Sequence, residues 1–150
     1  MPKKKTRKTT TKGIRYWKKK ACVEFSKYIR LRDALKTTVT KDTVICYTCK
    51  KPYPAFGVGC VQAGHFVPGR GNSILFDERG VHAQCYNCNV NLKGNWPEYM
   101  RYMIEDYGQD VVDELLHLKK QVRKYTPSDL EELRDLYKQK LKDLQRELKV

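Results

Sequence analysis

Long hydrophobic runs are absent from this chain of 150 residues. No stretch of 18 apolar residues occurs, so the sequence predicts no membrane-spanning helix. The first residues, MPKKKTRKTTTKG, contain no apolar segment of the kind that a secretory signal peptide needs. We therefore expect a cytoplasmic protein, in which thiols stay reduced and bind metals more often than they form disulfides.

Acidic residues are scarce, with 17 against 31 basic residues and a net charge of +14. No acidic residue precedes Glu24, whereas ten basic residues lie within residues 1–20. Such an excess favours a polyanionic partner, most commonly nucleic acid, with an anionic membrane surface as the weaker alternative. Residues 1–12 are predicted to be a disordered basic tail that either contacts DNA or only keeps the protein soluble.

Residues 13–42 are predicted to contain an N-terminal helix. Apolar residues between Ile14 and Leu35 recur largely at three- and four-residue steps and form one stripe. This stripe suits packing on the core, and its basic flanks suit contact with DNA phosphates. The flanks include three consecutive candidate DNA-binding residues, Lys18, Lys19 and Lys20.

Residues 108–150 are predicted to form a C-terminal helical region. Its last helix should begin with Thr126 as the N-cap, Pro127 in the first turn and Asp129 closing a capping box. The apolar stripe that follows suits two arrangements equally, packing on the body of the same chain or forming the seam of a homodimer.

Two Cys-x-x-Cys pairs, 35 residues apart, carry the strongest metal signal in the chain. Each pair can offer two thiolates from one tight turn, and two pairs complete a tetrahedral zinc site with no position open to water. A redox pair or an iron–sulfur cluster is the alternative. Cys22 is expected in the core, and Cys60 lies near enough to compete as a ligand. The four predicted ligands are Cys46, Cys49, Cys85 and Cys88.

Between the cysteine pairs, the segments GCVQAGHFVP and GVHAQC resemble two strands joined by a loop rich in turn formers. A helix is expected to begin near Asn89, with a break before Pro97. Residues 43–107 therefore predict a zinc-stabilised core in which two strands precede a helix. The whole chain is predicted to be an α+β protein, with this core flanked by the terminal helices.

The motifs CYTC, AGHF and FDERGVHAQCYNCN fall in the order seen in the NinG (Rap) family of lambdoid phage recombination proteins, which this chain resembles. The family lies within the HNH, or ββα-metal, class of nucleases. The resemblance implies a zinc-bound HNH-like core at residues 43–107. It also implies a structure-specific endonuclease that cuts branched DNA such as Holliday junctions and D-loops in the bacterial host cytoplasm.

Hydrolysis of a phosphodiester needs a base that activates water and a cation that stabilises the leaving oxygen. His65 is the candidate base, although an isolated histidine is more often structural. Asn89 falls where the resemblance places a ligand of a catalytic Mg²⁺ or Mn²⁺, and its alternative role is a helix N-cap. Asp77 is the candidate second ligand, and its alternative is an ion pair with Arg79.

The sequence departs from the HNH pattern at two glycines. Gly64 stands where most members have an acidic metal ligand immediately before the base. Gly80 stands where an asparagine usually braces the loop that orients the base, and Asn72 is a candidate replacement. These departures leave open whether the site is catalytic or has decayed.

His82 lies on a predicted strand and is either catalytic or a structural residue of the strand face. Arg70 and Arg79 are candidates to hold phosphates, because the guanidinium fork matches two phosphate oxygens. His117 lies on an amphipathic helix and is expected to be a packing or surface residue. No residue pattern suggests the reading of base edges, so recognition of DNA shape is the expectation.

Three functions are compatible with these features. The first is a metal-dependent endonuclease on branched DNA, with a homodimer presenting two sites to a four-way junction. The second is a non-catalytic, zinc-stabilised DNA-binding module. The third is a protein-interaction module that uses the C-terminal helix. The pairing of His65 with Asn89 favours the first over the second, and the net charge disfavours the third.

Overall fold

The computed structural model describes residues 12–148, so most of the predicted basic tail lies outside the described residues. Short antiparallel strand pairs and helices confirm the predicted α+β class. In this part of the chain no helix has the length and apolar character needed to cross a membrane. The helices and strands are α1 (Ile14–Thr38), β1 (Thr43–Ile45), β2 (Pro52–Pro54), β3 (Gln62–His65), β4 (Val81–Gln84), α2 (Trp96–Tyr107), α3 (Gln109–Leu118) and α4 (Pro127–Glu147).

Helix α1 confirms the helix predicted from the apolar stripe. Its buried face includes Ala21, Phe25 and Ile29, which repeat at four-residue steps. The helix ends at Thr38, and the following C-cap residue Val39, whose backbone is left-handed, donates its N–H to the Leu35 carbonyl. This C-cap satisfies a carbonyl that has no partner within the helix.

Strands β1 and β2 form a small antiparallel hairpin that carries the first cysteine pair in its turn. Val44 lies opposite Tyr53, and the Cys46 N–H donates to the Lys51 carbonyl at 2.9 Å. Val44 is fully buried against Ala34 of α1 and Ala83 of β4. The hairpin is thereby fixed between the first helix and the second strand pair.

Strands β3 and β4 form the antiparallel pair predicted from the sequence. Gly64 lies opposite His82, and His65 lies opposite Val81. The pairing continues past the strands, because the Phe66 N–H donates to the Gly80 carbonyl at 2.8 Å. Glu78–Gly80 forms a 3-10 turn that leads into β4.

The chain after β4 is less regular than a single α-helix. Asn87–Asn91 forms a π-helical turn, and α2 begins only at Trp96, with Pro97 in its first turn. The expected break before Pro97 is therefore confirmed. Helices α2 and α3 cover the loop between β3 and β4, and their buried residues Tyr99, Met103 and Leu115 pack with Phe66.

Helix α4 begins with the predicted capping box. The Thr126 hydroxyl accepts from the Asp129 N–H at 3.1 Å, and the Asp129 carboxylate accepts from the Thr126 N–H at 2.9 Å. The helix packs on α1 of the same chain, where Tyr137 meets Phe25 edge to face at 4.8 Å. This contact realises one of the two expected uses of the apolar stripe, and the homodimer stays a prediction.

The outer edge of β4 is closed by side-chain and backbone groups. The Ala83 N–H donates to the Asp33 carboxylate at 2.7 Å, and the Ala83 carbonyl accepts from the Tyr47 N–H at 2.8 Å. Arg32 pairs with Asp33 at 2.8 Å and donates to the Val81 carbonyl at 2.7 Å. Asp33 is buried, so these bonds compensate for its lost hydration.

We expect Asp33→Ala to lower the free energy of unfolding by about 3–5 kcal/mol, because it leaves the largely buried Arg32 guanidinium without its counter-ion and the Ala83 N–H without its acceptor. Urea unfolding followed by circular dichroism measures this loss. Asp135→Ala is the matched control, because Asp135 also pairs with the preceding arginine but is exposed. It should cost about 0.5 kcal/mol or less. Equal losses in both variants would contradict a structural role for the Asp33 contacts.

Candidate functional site

The two cysteine pairs come together in one cluster. One ligand atom from each of the four thiols lies within 4.8 Å of every other, and Cys49 Sγ and Cys85 Sγ are 3.8 Å apart. Zinc–sulfur bonds of about 2.3 Å in a tetrahedron place sulfur atoms about 3.8 Å apart, which fits this separation. The cluster can therefore hold a metal ion such as zinc. Cys60 lies outside it, and its sulfur is 3.5 Å from Arg30 Nη1.

Local hydrogen bonds favour the thiolate form of Cys46, whereas burial raises the pKa of Cys49 and Cys88. Although burial opposes ionisation, backbone N–H groups of Cys49 and Cys85 lower the pKa of Cys46. The Cys85 N–H donates to Cys46 Sγ at 3.3 Å, and the Cys88 N–H donates to Cys85 Sγ at 3.4 Å. Backbone donors to sulfur favour the charged form that binds a metal.

A cavity of about 820 Å³ opens beside β3, between α1, the loop after β3 and the segment before α2. His65, Asn89 and Arg70 all line it. The structure thus brings together a candidate base, a candidate cation ligand and a candidate phosphate-binding residue from three separate parts of the chain. None of its sixteen lining residues, all within residues 12–148, carries a carboxylate.

The orientation of His65 is set by one hydrogen bond. Its Nε2 lies 3.0 Å from the Leu75 carbonyl, which can only accept. Nε2 therefore carries the proton, and Nδ1 keeps its lone pair. Burial lowers the pKa of His65, the nearby Arg70 charge lowers it further, and the Leu75 carbonyl opposes both. The imidazole is consequently neutral near pH 7 and able to accept a proton.

Asn89 is held by a residue at the start of β3. Its Nδ2 donates to Gln62 Oε1 at 2.8 Å, so its own side-chain oxygen stays available as a ligand. Asn89 lies in the middle of the π-helical turn, not at its beginning, and so it does not take the alternative role of N-cap.

Gly64 is required by the packing of Gln84. A Cβ atom on residue 64 would overlap the Gln84 side-chain amide. That amide donates to the Thr48 hydroxyl at 3.0 Å and to the Gly94 carbonyl at 2.9 Å. Gln84 thus connects the first cysteine turn to the segment before α2, across the face of Gly64. The absence of an acidic residue at this position has a structural cause.

His82 lies in the core and does not line the cavity. It is 3 % exposed, and the Tyr47 ring stacks on it at 4.0 Å. The Tyr99 hydroxyl donates to the Gly64 carbonyl at 2.6 Å, so it accepts from His82 Nδ1 at 3.1 Å. His82 Nε2 then accepts from the Tyr107 hydroxyl at 2.9 Å. These bonds match the structural alternative for this residue and support the peptide that precedes His65.

Asp77 and Arg79 form the ion pair that was the alternative to a metal ligand. The Asp77 carboxylate accepts from Arg79 Nε at 3.0 Å and from Nη2 at 2.8 Å. Arg79 also pairs with Glu114 at 2.9 Å. Both residues lie outside the cavity lining, so the structure does not bring them to His65. The geometry does not support the predicted roles of Asp77 as a cation ligand and Arg79 as a phosphate-binding residue, because the two charges pair with each other.

The remaining predicted DNA-binding residues lie around the cavity or on its supporting loop. Lys18 and Lys19 line an adjoining cavity together with Arg70, whereas Lys20 is exposed beside the Tyr16 ring. Asn72 donates to the Arg123 carbonyl at 3.0 Å and so ties the loop after β3 to the segment before α4. Its side chain thus braces the loop, and it makes no hydrogen bond to His65.

The comparisons with known proteins identify the family. The model of the family described as bacteriophage lambda NinG protein matches residues 2–147. The chain belongs to the NinG family. Proteins named ninG from Salmonella phage P22 and Escherichia phage 933W are 33 % and 32 % identical over 93 % of this chain. The protein ninG of Escherichia phage lambda is 31 % identical over the same share.

This NinG-family chain spans 63–64 % of the length of those three relatives. The resemblance read from the cysteine and histidine motifs is therefore confirmed at the level of the family. No solved structure matches the chain.

Two residues of the cavity wall, Lys93 and Trp96, were not predicted from the sequence. Lys93 lies in the irregular segment between the π-helical turn and α2, and Trp96 is the first residue of α2. Spacing rules apply within helices and strands, and they do not place a residue of an irregular segment or the first residue of the helix that follows it. The adjacent GN and WP dipeptides, which are typical of chain reversals and helix starts, were the available indication.

We expect the purified chain to contain about one zinc ion, and Cys85→Ser to remove it, because the cluster then lacks one thiolate. Metal analysis of the two proteins measures the content. Cys60→Ser is the matched control and should keep the ion. Loss of zinc in the control, or its retention in Cys85→Ser, would contradict the assignment of ligands.

We expect His82 to make the fold less stable in acid. Burial, and after it the charges of Arg32 and Lys36, lower the pKa of His82 well below its usual value. His82 is therefore protonated near pH 6.5 in the unfolded chain but stays neutral at that pH in the folded chain. Stability is therefore fully present above pH about 6.5 and declines below it by at most about 1.4 kcal/mol per pH unit for this group.

Urea unfolding of the wild type and His82→Phe, between pH 7 and pH 5, tests this expectation. The variant loses the tyrosine contacts and is less stable throughout. Its stability should nevertheless fall less steeply with acid, because one titrating group is gone. Parallel curves would show that His82 makes no contribution to the acid sensitivity.

Proposed function

We propose that this NinG-family chain is a metal-dependent DNA endonuclease of the HNH type that cuts branched recombination intermediates such as Holliday junctions and D-loops. The observation that carries the proposal is the state of His65. One ring nitrogen is committed to the Leu75 carbonyl, and the other retains its lone pair in a residue that lines a cavity. A neutral imidazole of this kind can take a proton from an attacking water.

The catalytic role of His65 has support from the groups around it. Asn89 offers an amide oxygen in the same cavity, and Arg70 and Lys93 supply positive charge for a phosphate. Helix α1 adds Lys18 and Lys19 along the adjoining surface. In this proposal α1 and Arg70 hold the DNA backbone while His65 accepts the proton of the water.

A Mg²⁺ or Mn²⁺ ion, when bound, would stabilise charge on the scissile phosphate and the leaving oxygen. The Asn89 side-chain oxygen is a suitable ligand for a hard cation, but no residue of the cavity wall supplies a carboxylate as a second ligand. Oxygen atoms of the DNA phosphate would have to complete the ligand set. The proposal therefore includes weak cation binding by the protein in the absence of DNA.

Zinc in the four-cysteine cluster has a different role in this proposal. All four positions of a tetrahedral ion would be taken by sulfur, so the ion has no place for water and is structural. It would fix the first cysteine turn against the π-helical turn that carries Asn89. Loss of zinc would then reduce cleavage through displacement of Asn89.

A non-catalytic DNA-binding module is the second candidate. The cavity lining without a carboxylate favours it, because most sites for a hard cation include an acidic ligand. The packing of Gln84 over Gly64 gives that missing acid a structural reason and weakens the argument for a decayed site. The two candidates differ in whether bound DNA is cut.

We expect a synthetic four-way junction to be cut in the presence of Mg²⁺ or Mn²⁺, and a linear duplex of the same arm sequence to be cut far less. His65→Ala should reduce cleavage by about 10²- to 10⁴-fold, the usual contribution of one general base. His117→Ala is the matched control, because His117 is exposed on α3 and lies outside the cavity lining. Tight junction binding without cleavage in either cation would establish the non-catalytic module.

We expect the cleavage rate of the wild type to increase with pH and then become constant. Only neutral His65 can accept a proton, and its pKa lies below the usual 6.5 because of burial and Arg70. The increase should therefore be complete by about pH 6.5–7. Single-turnover rates between pH 5 and pH 8 measure this profile. A rate that falls as pH rises through this range would contradict the role of His65 as a base.

A further inference from the structure

Trp96 forms part of the wall of the cavity that contains His65 and Asn89. Its ring lies parallel to that of Phe66, with the ring centres 5.7 Å apart and 7° between the planes. Phe66 is buried, whereas Trp96 is 39 % exposed. Phe66 therefore packs in an offset stack against part of the indole, and Trp96 as a whole remains open to solvent.

The Trp96 ring is held in place before any ligand arrives. Its Nε1 donates to the Phe66 carbonyl at 3.1 Å, so the one polar atom of the indole is satisfied within the protein. The residue also opens α2, directly before Pro97. A ring fixed by a hydrogen bond, a stacking contact and a helix start loses little conformational freedom when a ligand covers it.

The cavity beside this ring suits an anionic ligand with a planar group. Its volume of about 820 Å³ lies within the range of pockets that enclose ligands larger than a phosphate group. Arg70 and Lys93 contribute positive charge, and no carboxylate is present among its lining residues. A nucleotide has both the anionic phosphate and the flat base that these groups can contact.

We propose that Trp96 is a stacking platform for one unpaired nucleobase of the DNA strand whose phosphate lies at His65 and Asn89; this inference rests on the proposed function. A base inside a continuous duplex has both faces covered by its neighbours. A base at a branch point can turn out of the stack and lie on an aromatic ring. The platform accordingly selects DNA with unstacked nucleotides and does not read base edges.

The first experiment uses the fact that the chain has two tryptophans. Trp17 lies against Arg134 on α4 and does not line the cavity. In Trp17→Phe, Trp96 is the remaining tryptophan, and its fluorescence reports on the platform. The protein is titrated, without added divalent cation, with a junction that carries unpaired thymines at the branch, and separately with a fully paired linear duplex.

Binding of the same DNA is followed by the anisotropy of a labelled strand. We expect the junction to quench the Trp96 fluorescence as it binds, and the duplex to leave it unchanged at equal occupancy. Junction binding with unchanged Trp96 fluorescence would overturn the platform. This measurement uses folded protein with Trp96 intact, so a folding defect in a Trp96 variant does not affect it.

The second experiment measures junction affinity in Trp96 variants. Trp96→Ala should weaken binding by about fivefold to about 150-fold, the range for loss of one stacked base, and Trp96→Phe should recover most of it. Tyr86→Ala is the matched control, because Tyr86 is an exposed aromatic residue outside the cavity lining. An equal loss in Trp96→Ala and Tyr86→Ala would overturn the specific role of Trp96.

The results separate this inference from the proposed function. A Trp96→Ala protein that binds and cuts the junction like the wild type would overturn the platform and leave the endonuclease in place. A wild-type protein that binds neither DNA would overturn both. Quenching by the junction without cleavage in any cation would support the platform and refute the nuclease.

Discussion

Strand β4 is the element on which the rest of the molecule depends, because both of its edges are bonded. One edge pairs with β3, and at the other the peptide groups of Ala83 bond to Asp33 of α1 and Tyr47 of the first cysteine turn. The strand leads directly into Cys85 and the π-helical turn with Asn89. The position of β4 therefore fixes the metal cluster, the partner strand with His65 and the candidate cation ligand together.

Buried polar groups connect the two sides of the β3–β4 pair. On the face toward α2, His82, Tyr99 and Gln84 fill the space over Gly64 and bond to its surroundings. On the cavity side, His65 is oriented by the loop that returns to β4. A buried polar network of this type favours one arrangement, because other arrangements would break the hydrogen bonds of His82 and Tyr99. The candidate site is thus supported by residues that never contact a substrate.

The surface near the site is positive for two reasons. Basic residues are numerous, and the acidic residues of the neighbouring segments lie away from the cavity. Asp77 and Glu114 bind Arg79, and Glu78 binds Lys140 at 2.7 Å, all away from the cavity. The cavity wall keeps Arg70 and Lys93 and has no carboxylate. Such a wall attracts phosphate strongly and a bare cation weakly. In the proposed function the divalent ion would therefore bind well only when DNA phosphate is present.

The sequence by itself determined the features that depend on local spacing. The stripe of α1, the capping box at Thr126 and the four cysteines follow from repeats of a few residues, and the structure has them all. The roles of His82 and Asp77 depended on tertiary structure. The tyrosines around His82 come from the first cysteine turn and from α2, and Asp77 could bind either a cation or Arg79. The packing of α4 on α1, and Trp96 in the cavity wall, also required the folded chain. The local sequence limits the kinds of contact that a residue can make. Which of these contacts forms is decided by the helices and strands that pack around it.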